Sequence, residues 1–140
     1  MSITVNWLQK GFHMEATNEE GGKIRMDGNT EIGGLEGGVS PMQLLLAGIG
    51  GCSAIDVISI LEKQKEPLQN LTVEVDADKQ KLKEGYSEFK TIHLHFKIYG
   101  DLNVKKVERA LSLSIEKYCS VSKALEKGSE ISYDYELINS

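Results

Sequence analysis

Short runs of alternating apolar and polar residues open the chain. Ile3–Leu8 alternates Ile, Val and Trp with polar neighbours, which predicts a strand. Phe12–Ala16 and Lys23–Met26 read as two further strands around a turn at 18–22, giving an N-terminal meander. Residues 27–39 then carry five glycines and few long apolar side chains. A connection of that length is where binding loops and lids are found.

Ser40-Pro41-Met42-Gln43 announces a helix: Ser40 as N-cap, Pro41 at the first helical position, Gln43 closing a capping box. The helix is predicted to run to about Lys65 and to end before Pro67. From Met42 to Ile58 it is apolar almost all round, and such a helix is buried on every side. The pattern therefore predicts a central helix enclosed by sheet, by other helices or by a second subunit.

Leu71–Ala77 and Phe89–Tyr99 alternate cleanly and predict two strands, with charged residues 79–87 as the turn of a long hairpin. Val104, Val107, Leu111 and Ile115 recur at helical spacing, predicting one helix over 103–118. Ser120 caps a short helix through Lys127, Gly128 stops it, and Ile131–Leu137 closes the chain as a strand. The order is βββ-α-ββ-α-α-β, an α+β fold with largely antiparallel pairing in a single domain spanning 1–140.

Composition narrows the function classes. A chain of 140 residues with 26% charged residues is ordinary for one globular domain. A net charge of -5 argues against a general nucleic-acid binder, which needs a basic face. Only Arg25 and Arg109 offer the bidentate fork that captures phosphate or carboxylate. Residues 1–10 show no signal-peptide pattern, and the longest apolar run, Leu44–Ile49, is far short of the roughly 20 residues that span a bilayer. A cytoplasmic protein without membrane partners is expected.

Two cysteines are too few for a secreted disulfide framework and form no CxxC or zinc pattern. Cys52 sits in Ala47-Gly-Ile-Gly-Gly-Cys-Ser-Ala-Ile-Asp56, where three glycines interrupt a predicted helix at about 1 kcal/mol each. That tolerance implies a backbone, ligand or reactive group close to the face; tight helix packing is the plainer explanation. Cys119 falls at a junction of predicted helices, where free N–H groups lower a thiol pKa. On sequence alone Cys119 is the better-placed thiolate and Cys52 the better-framed one. Asp56, one turn beyond Cys52, could face the same pocket, though an anion there raises a thiol pKa.

Ser40-Pro41-x-x-Leu44-Leu45-x-Ala47 followed by Gly51-Cys52 resembles the OsmC/Ohr family (osmotically inducible protein C and organic hydroperoxide resistance protein). Tyr118-Cys119-Ser120-Val121-Ser122 resembles its second-cysteine motif. The resemblance covers essentially the whole chain and is greatest to the short OsmC-like branch. It implies an intertwined homodimer with the central helices buried between chains. It also implies a thiol peroxidase in oxidative-stress defence: Cys52 attacks a hydroperoxide, Cys119 resolves the sulfenic acid as a disulfide, and a dithiol of lipoyl or similar type reopens it. No metal or organic cofactor is implied. In the hydroperoxide-resistance branch a Glu follows the helix-start proline and pairs with an activating Arg. Met42 stands there in this chain, so a less activated thiolate is expected, with Arg25 as the candidate cation and Met42, Gly51 and Asp56 as pocket residues. The alternative on the same scaffold is a non-catalytic small-ligand binder or redox sensor.

His93 and His95 share one strand face and read as solvated residues, since no third metal ligand is placed by sequence. Gly33–Gly38 lacks the strand context and Lys of a phosphate-binding loop and reads instead as a mobile loop near the active site.

Overall fold

The structure, a computed structural model, describes residues 1–28, 32–34 and 37–139. The elements are β1 (Ile3–Trp7), β2 (Met14–Asn18), β3 (Lys23–Met26), α1 (Pro41–Lys63), β4 (Asn70–Lys81), β5 (Ser87–Tyr99), α2 (Val104–Leu113), α3 (Ser120–Leu125) and β6 (Glu130–Ile138). A five-residue π turn, Ser114–Tyr118, separates α2 from Cys119 and α3. This is the α+β order predicted from the sequence. The chain forms two compact units, Met1–Leu45 and Leu46–Ser140.

In the first unit β1, β2 and β3 make an antiparallel meander. The second strand starts two residues later than expected. Gln9 and Gly11 adopt left-handed backbone, Leu8 N–H bonds the His13 carbonyl at 2.9 Å, and Trp7 Nε1 donates to the Gly11 carbonyl. These bonds widen the loop and exclude Phe12 from the ladder. The expected turn at 18–22 is held by Asn18 Oδ1, which accepts from the N–H groups of Glu20 and Gly22. The capping box also forms: Gln43 N–H donates to Ser40 Oγ (3.2 Å) and Ser40 N–H to Gln43 Oε1 (2.9 Å). Of the glycine-rich connection, residues 29–31 and 35–36 lie outside the described residues.

In the second unit the sheet order is β4-β5-β6, antiparallel across β4/β5 and parallel across β5/β6. Central β5 buries Ile92, Leu94, Phe96 and Ile98 completely on one face and turns His93, His95 and Lys97 to the other. Each such apolar side chain stabilises the fold by about 1.5–3 kcal/mol. Ile49, Val57 and Leu61 from α1 and Val107, Ala110 and Leu111 from α2 complete the core. The hairpin is longer than the pattern suggested. The ladder runs through the charged stretch to Lys81 and resumes at Ser87, leaving only 82–86 as the turn. Charge does not end a strand whose both faces meet water.

Two helix boundaries differ from expectation for backbone reasons. α1 stops at Lys63 because Lys65 is left-handed (φ 58°), with Glu66 N–H bonding the Leu61 carbonyl and Lys65 N–H the Glu62 carbonyl. That is a Schellman stop, reached before Pro67 acts. α3 is capped by Cys119 rather than Ser120, its sulfur accepting from Ser122 N–H at 3.4 Å.

Within one chain α1 keeps part of its apolar surface uncovered: Leu45, Ile55 and Ile58 are exposed, Ile55 at 68%. By length and composition alone the helix could cross a membrane. Its fully buried Ile49, Val57 and Leu61 and its mid-helix Asp56 mark it instead as a core helix with one apolar side left uncovered.

Gly100 has φ +139°, and a Cβ there would lie 2.6 Å from the Pro67 carbonyl oxygen. Gly100→Ala should lower the urea unfolding free energy by about 1–3 kcal/mol. Gly128→Ala, with nothing within 4 Å of the added carbon, should stay within about 0.5 kcal/mol of the parent. Equal stability of the two variants would show that the β5–α2 corner is not strained.

Candidate active site

Gly48, Cys52 and Asp56 follow one another at four-residue spacing and so form one ridge of α1. A carbon added at Gly48 would lie 3.8 Å from Val121, which turns this ridge toward the start of α3. A carbon at Gly50 would lie 3.1 Å from Val75 of β4, so this glycine lets the helix approach the sheet. Gly51 meets nothing within 4 Å and is exposed. Tight packing thus accounts for Gly50 alone of the three glycines.

The π turn delivers the other half of the site. Cys119 N–H bonds the Ser114 carbonyl five residues back, at 2.7 Å. A continuous helix would carry residue 119 onward along its own axis. The extra residue in the turn ends the helix there and directs Cys119 inward, with extended backbone (φ -72°, ψ 104°). Cys119 is fully buried, and the two sulfurs and an Asp56 carboxylate oxygen all lie within 4.8 Å of one another. Both thiols are free.

Burial pushes the Cys119 thiol up to about 11. Cys52 and Asp56 push the same way, and the Ser122 N–H opposes them. The helix-terminus argument that made Cys119 the better thiolate is therefore overturned. α3 is only six residues long, and loss of water outweighs one N–H donor. Cys52 is partly exposed, whereas Cys119 is buried.

Ser114 braces the site. Its Oγ lies 3.1 Å from the Ser53 carbonyl and 3.3 Å from Asp56 Oδ2, so its single proton is shared between them. A groove of about 600 Å³ leads away from Asp56 between Ile60, Lys63, Leu113 and Tyr118. Sequence reasoning missed both Ser114 and Lys63. Lys63 was accessible in principle, since 52, 56 and 63 fall on one helical stripe. Ser114 was not, because its role depends on the π turn. In the first unit, Arg25 Nε donates to Glu15 Oε2 at 3.2 Å, the two residues standing opposite each other in the β2/β3 register. Met42 is half-buried at the start of α1, and Arg109 is exposed.

A helix-borne open thiol facing a buried thiol within an α+β sheet fold defines a two-cysteine dithiol protein. The chain belongs to the OsmC-like protein family, whose profile matches residues 33–134. Protein YhfA of Escherichia coli K12 is 38% identical over 139 residues, covering 99% of this chain and 98% of that protein. A protein from Aquifex aeolicus VF5 is 25% identical, with a TM-score of 0.78 over 97% of this chain and 96% of that one. An organic hydroperoxide resistance protein OsmC from Legionella pneumophila shares the fold at 20% identity, with a TM-score of 0.74 over 96% and 95% of the two chains.

His93 and His95 lie outside this site, on the polar face of β5. Asp134 Oδ1 lies 2.8 Å from His93 Nε2 and 2.7 Å from His95 Nδ1; Ser132 Oγ and Glu136 flank them on β6. Lys97 pairs with Glu74 alongside, at 2.6 Å. The hydrogen bond that His95 donates to the Asp134 carboxylate raises the His95 pKa and lowers that of Asp134. A raised histidine adds stability that is full below its unfolded value near 6.5 and fades as pH rises through the folded value. The depressed carboxylate adds stability that is full above about 4 and lost in more acidic solution. Thermal unfolding should therefore show the parent losing more stability than Asp134→Asn between pH 6 and 8. Parallel pH profiles of the two proteins would contradict the linkage.

Proposed function

We propose that this single OsmC-like domain is a thiol-dependent peroxidase for organic or inorganic hydroperoxides, acting in oxidative-stress defence. The observation carrying this reading is the convergence of two free sulfurs within 4.8 Å, one partly open and one buried. The Cys52 thiolate attacks the outer oxygen of ROOH. The O–O bond breaks, sulfur is oxidised to sulfenic acid, and the alkoxide takes a proton to leave as ROH. The Cys119 thiol then displaces the hydroxyl, forming the Cys52–Cys119 disulfide and water. A lipoyl-type or other dithiol reduces the disulfide through a mixed-disulfide exchange. No organic cofactor enters the cycle.

Several features support parts of this reading. The proton that burial keeps on Cys119 has to leave as its sulfur attacks, and the departing hydroxide can take it to form water. Arg25 is the proposed activating cation. With Met42 where the hydroperoxide-resistance branch has Glu, Glu15 takes the role of holding the Arg side chain. The uncovered side of α1, at Leu45, Ile55 and Ile58, together with exposed Ile3, Val5 and Trp7, suits an intertwined homodimer. A cycle that starts from two free thiols belongs in a reducing compartment, the cytoplasm.

Met42 also favours a second reading: a small-ligand-binding or redox-sensing dimer without rapid turnover. Treatment with one equivalent of cumene hydroperoxide followed by non-reducing peptide mapping separates the two. The peroxidase reading expects a Cys52–Cys119 disulfide formed in seconds, sulfinic acid on Cys52 in Cys119→Ser, and no peroxide consumption by Cys52→Ser. Arg25→Ala should slow disulfide formation by about tenfold or more. Consumption by Cys52→Ser equal to the parent sinks the peroxidase reading. A parent rate near that of free cysteine supports the binding or sensing role.

A further inference from the structure

Asp56 is the residue that thiol oxidation leaves unexplained. A carboxylate there adds to the upward push on the Cys119 thiol and brings no positive charge that would favour a thiolate. The three groups share another property: each is a ligand for a borderline-soft divalent cation when anionic, and a dication is the one species that stabilises all three anions together. Their donor atoms already lie within 4.8 Å of one another. Tetrahedral zinc–thiolate geometry needs roughly 3.8 Å between ligands, a contraction of about 1 Å at most. We propose that Cys52, Asp56 and Cys119 form a binding site for a zinc-class divalent cation, with water in the fourth position.

Two features beyond the donors make this a built site. Cys52 and Asp56 are fixed one turn apart on a single helix, while Cys119 arrives from a separate element, so the three approach one point from different sides. Each of two ligands also has its own orienting donor. Ser114 Oγ stands 3.3 Å from Asp56 Oδ2, and Ser122 N–H points to the Cys119 sulfur. Such outer partners fix ligand direction at metal centres. The cysteine spacing matches no zinc motif because the ligands come from distant elements. The partial exposure of Cys52 and Asp56 supplies an entry path.

Binding of M²⁺ to two thiols and one carboxylate releases two protons and changes no oxidation state. The disulfide has no thiolate to offer, so metal occupancy and oxidation exclude each other. A bound cation would hold the dithiol reduced and shield it from peroxide. The binding claim stands without the peroxidase reading, although the two share their thiols.

Anaerobic titration of the reduced full chain with Co²⁺ tests the site. A sulfur-to-cobalt charge-transfer band and strong tetrahedral visible bands should saturate at about one cobalt per chain and vanish on adding Zn²⁺. Asp56→Asn should weaken cobalt at least about tenfold, and Cys52→Ser should abolish the thiolate band. Parent protein oxidised with diamide should bind no cobalt, a control that needs no substitution. Absence of the band in the reduced parent, or equal cobalt affinity in Asp56→Asn, overturns the site. Peroxide consumption by metal-free protein is followed in parallel. Consumption without a cobalt band removes the metal site alone, and a cobalt band without consumption removes the peroxidase reading alone.

Discussion

One backbone hydrogen bond, from Cys119 N–H to the Ser114 carbonyl, decides what the candidate site is. An ordinary helix would leave a cysteine at that position pointing along its own surface. The five-residue closure ends the helix, extends the backbone at Cys119 and turns its sulfur into the core, where Cys52 and Asp56 wait on α1. The same turn brings the Ser114 hydroxyl against the Ser53 carbonyl and Asp56, so the brace and the thiol are set by one local distortion. The turn itself is held by the buried face around it. Ile115 and Ser114 are buried, and Ser122 Oγ donates back to the Ile115 carbonyl at 3.3 Å.

From that constraint the asymmetry between the thiols follows. A sulfur carried inward loses water and is pushed toward its protonated form; a sulfur on the ridge of α1 keeps contact with solvent. The proposed peroxidase cycle uses this difference, assigning attack to the open thiol and resolution to the buried one. The proposed cation site uses the other consequence, that two sulfurs and a carboxylate meet in a space small enough for one ion. Both are properties of one reduced dithiol, and each removes the substrate of the other.

Much of the fold is legible in the sequence because its signals are local. Ser40 and Gln43 close the capping box they announce, and the alternation of Ile92, Leu94, Phe96 and Ile98 marks the buried face of β5. What stays hidden depends on backbone choices that side-chain periodicity does not encode. The stripe of Val107, Leu111 and Ile115 runs on into the π turn, so the spacing does not mark where the α-helix stops. Lys65 ends α1 in a conformation expected of glycine, and the hairpin extends through charges exposed on both faces. In the site, the cysteines and Asp56 were visible as candidates, but the direction of the Cys119 pKa was misread. A helix-end argument counts donors, and only the folded packing reveals how much water is lost.

The pairing of an open Cys52 with a buried resolving Cys119 is tested most directly by the ¹³Cβ resonances of both cysteines during stoichiometric hydroperoxide addition to reduced protein. Both should move together from the thiol to the disulfide region, with no lasting sulfenic or sulfinic species at Cys52. Oxidation of Cys52 alone, with the Cys119 resonance unmoved, would contradict it.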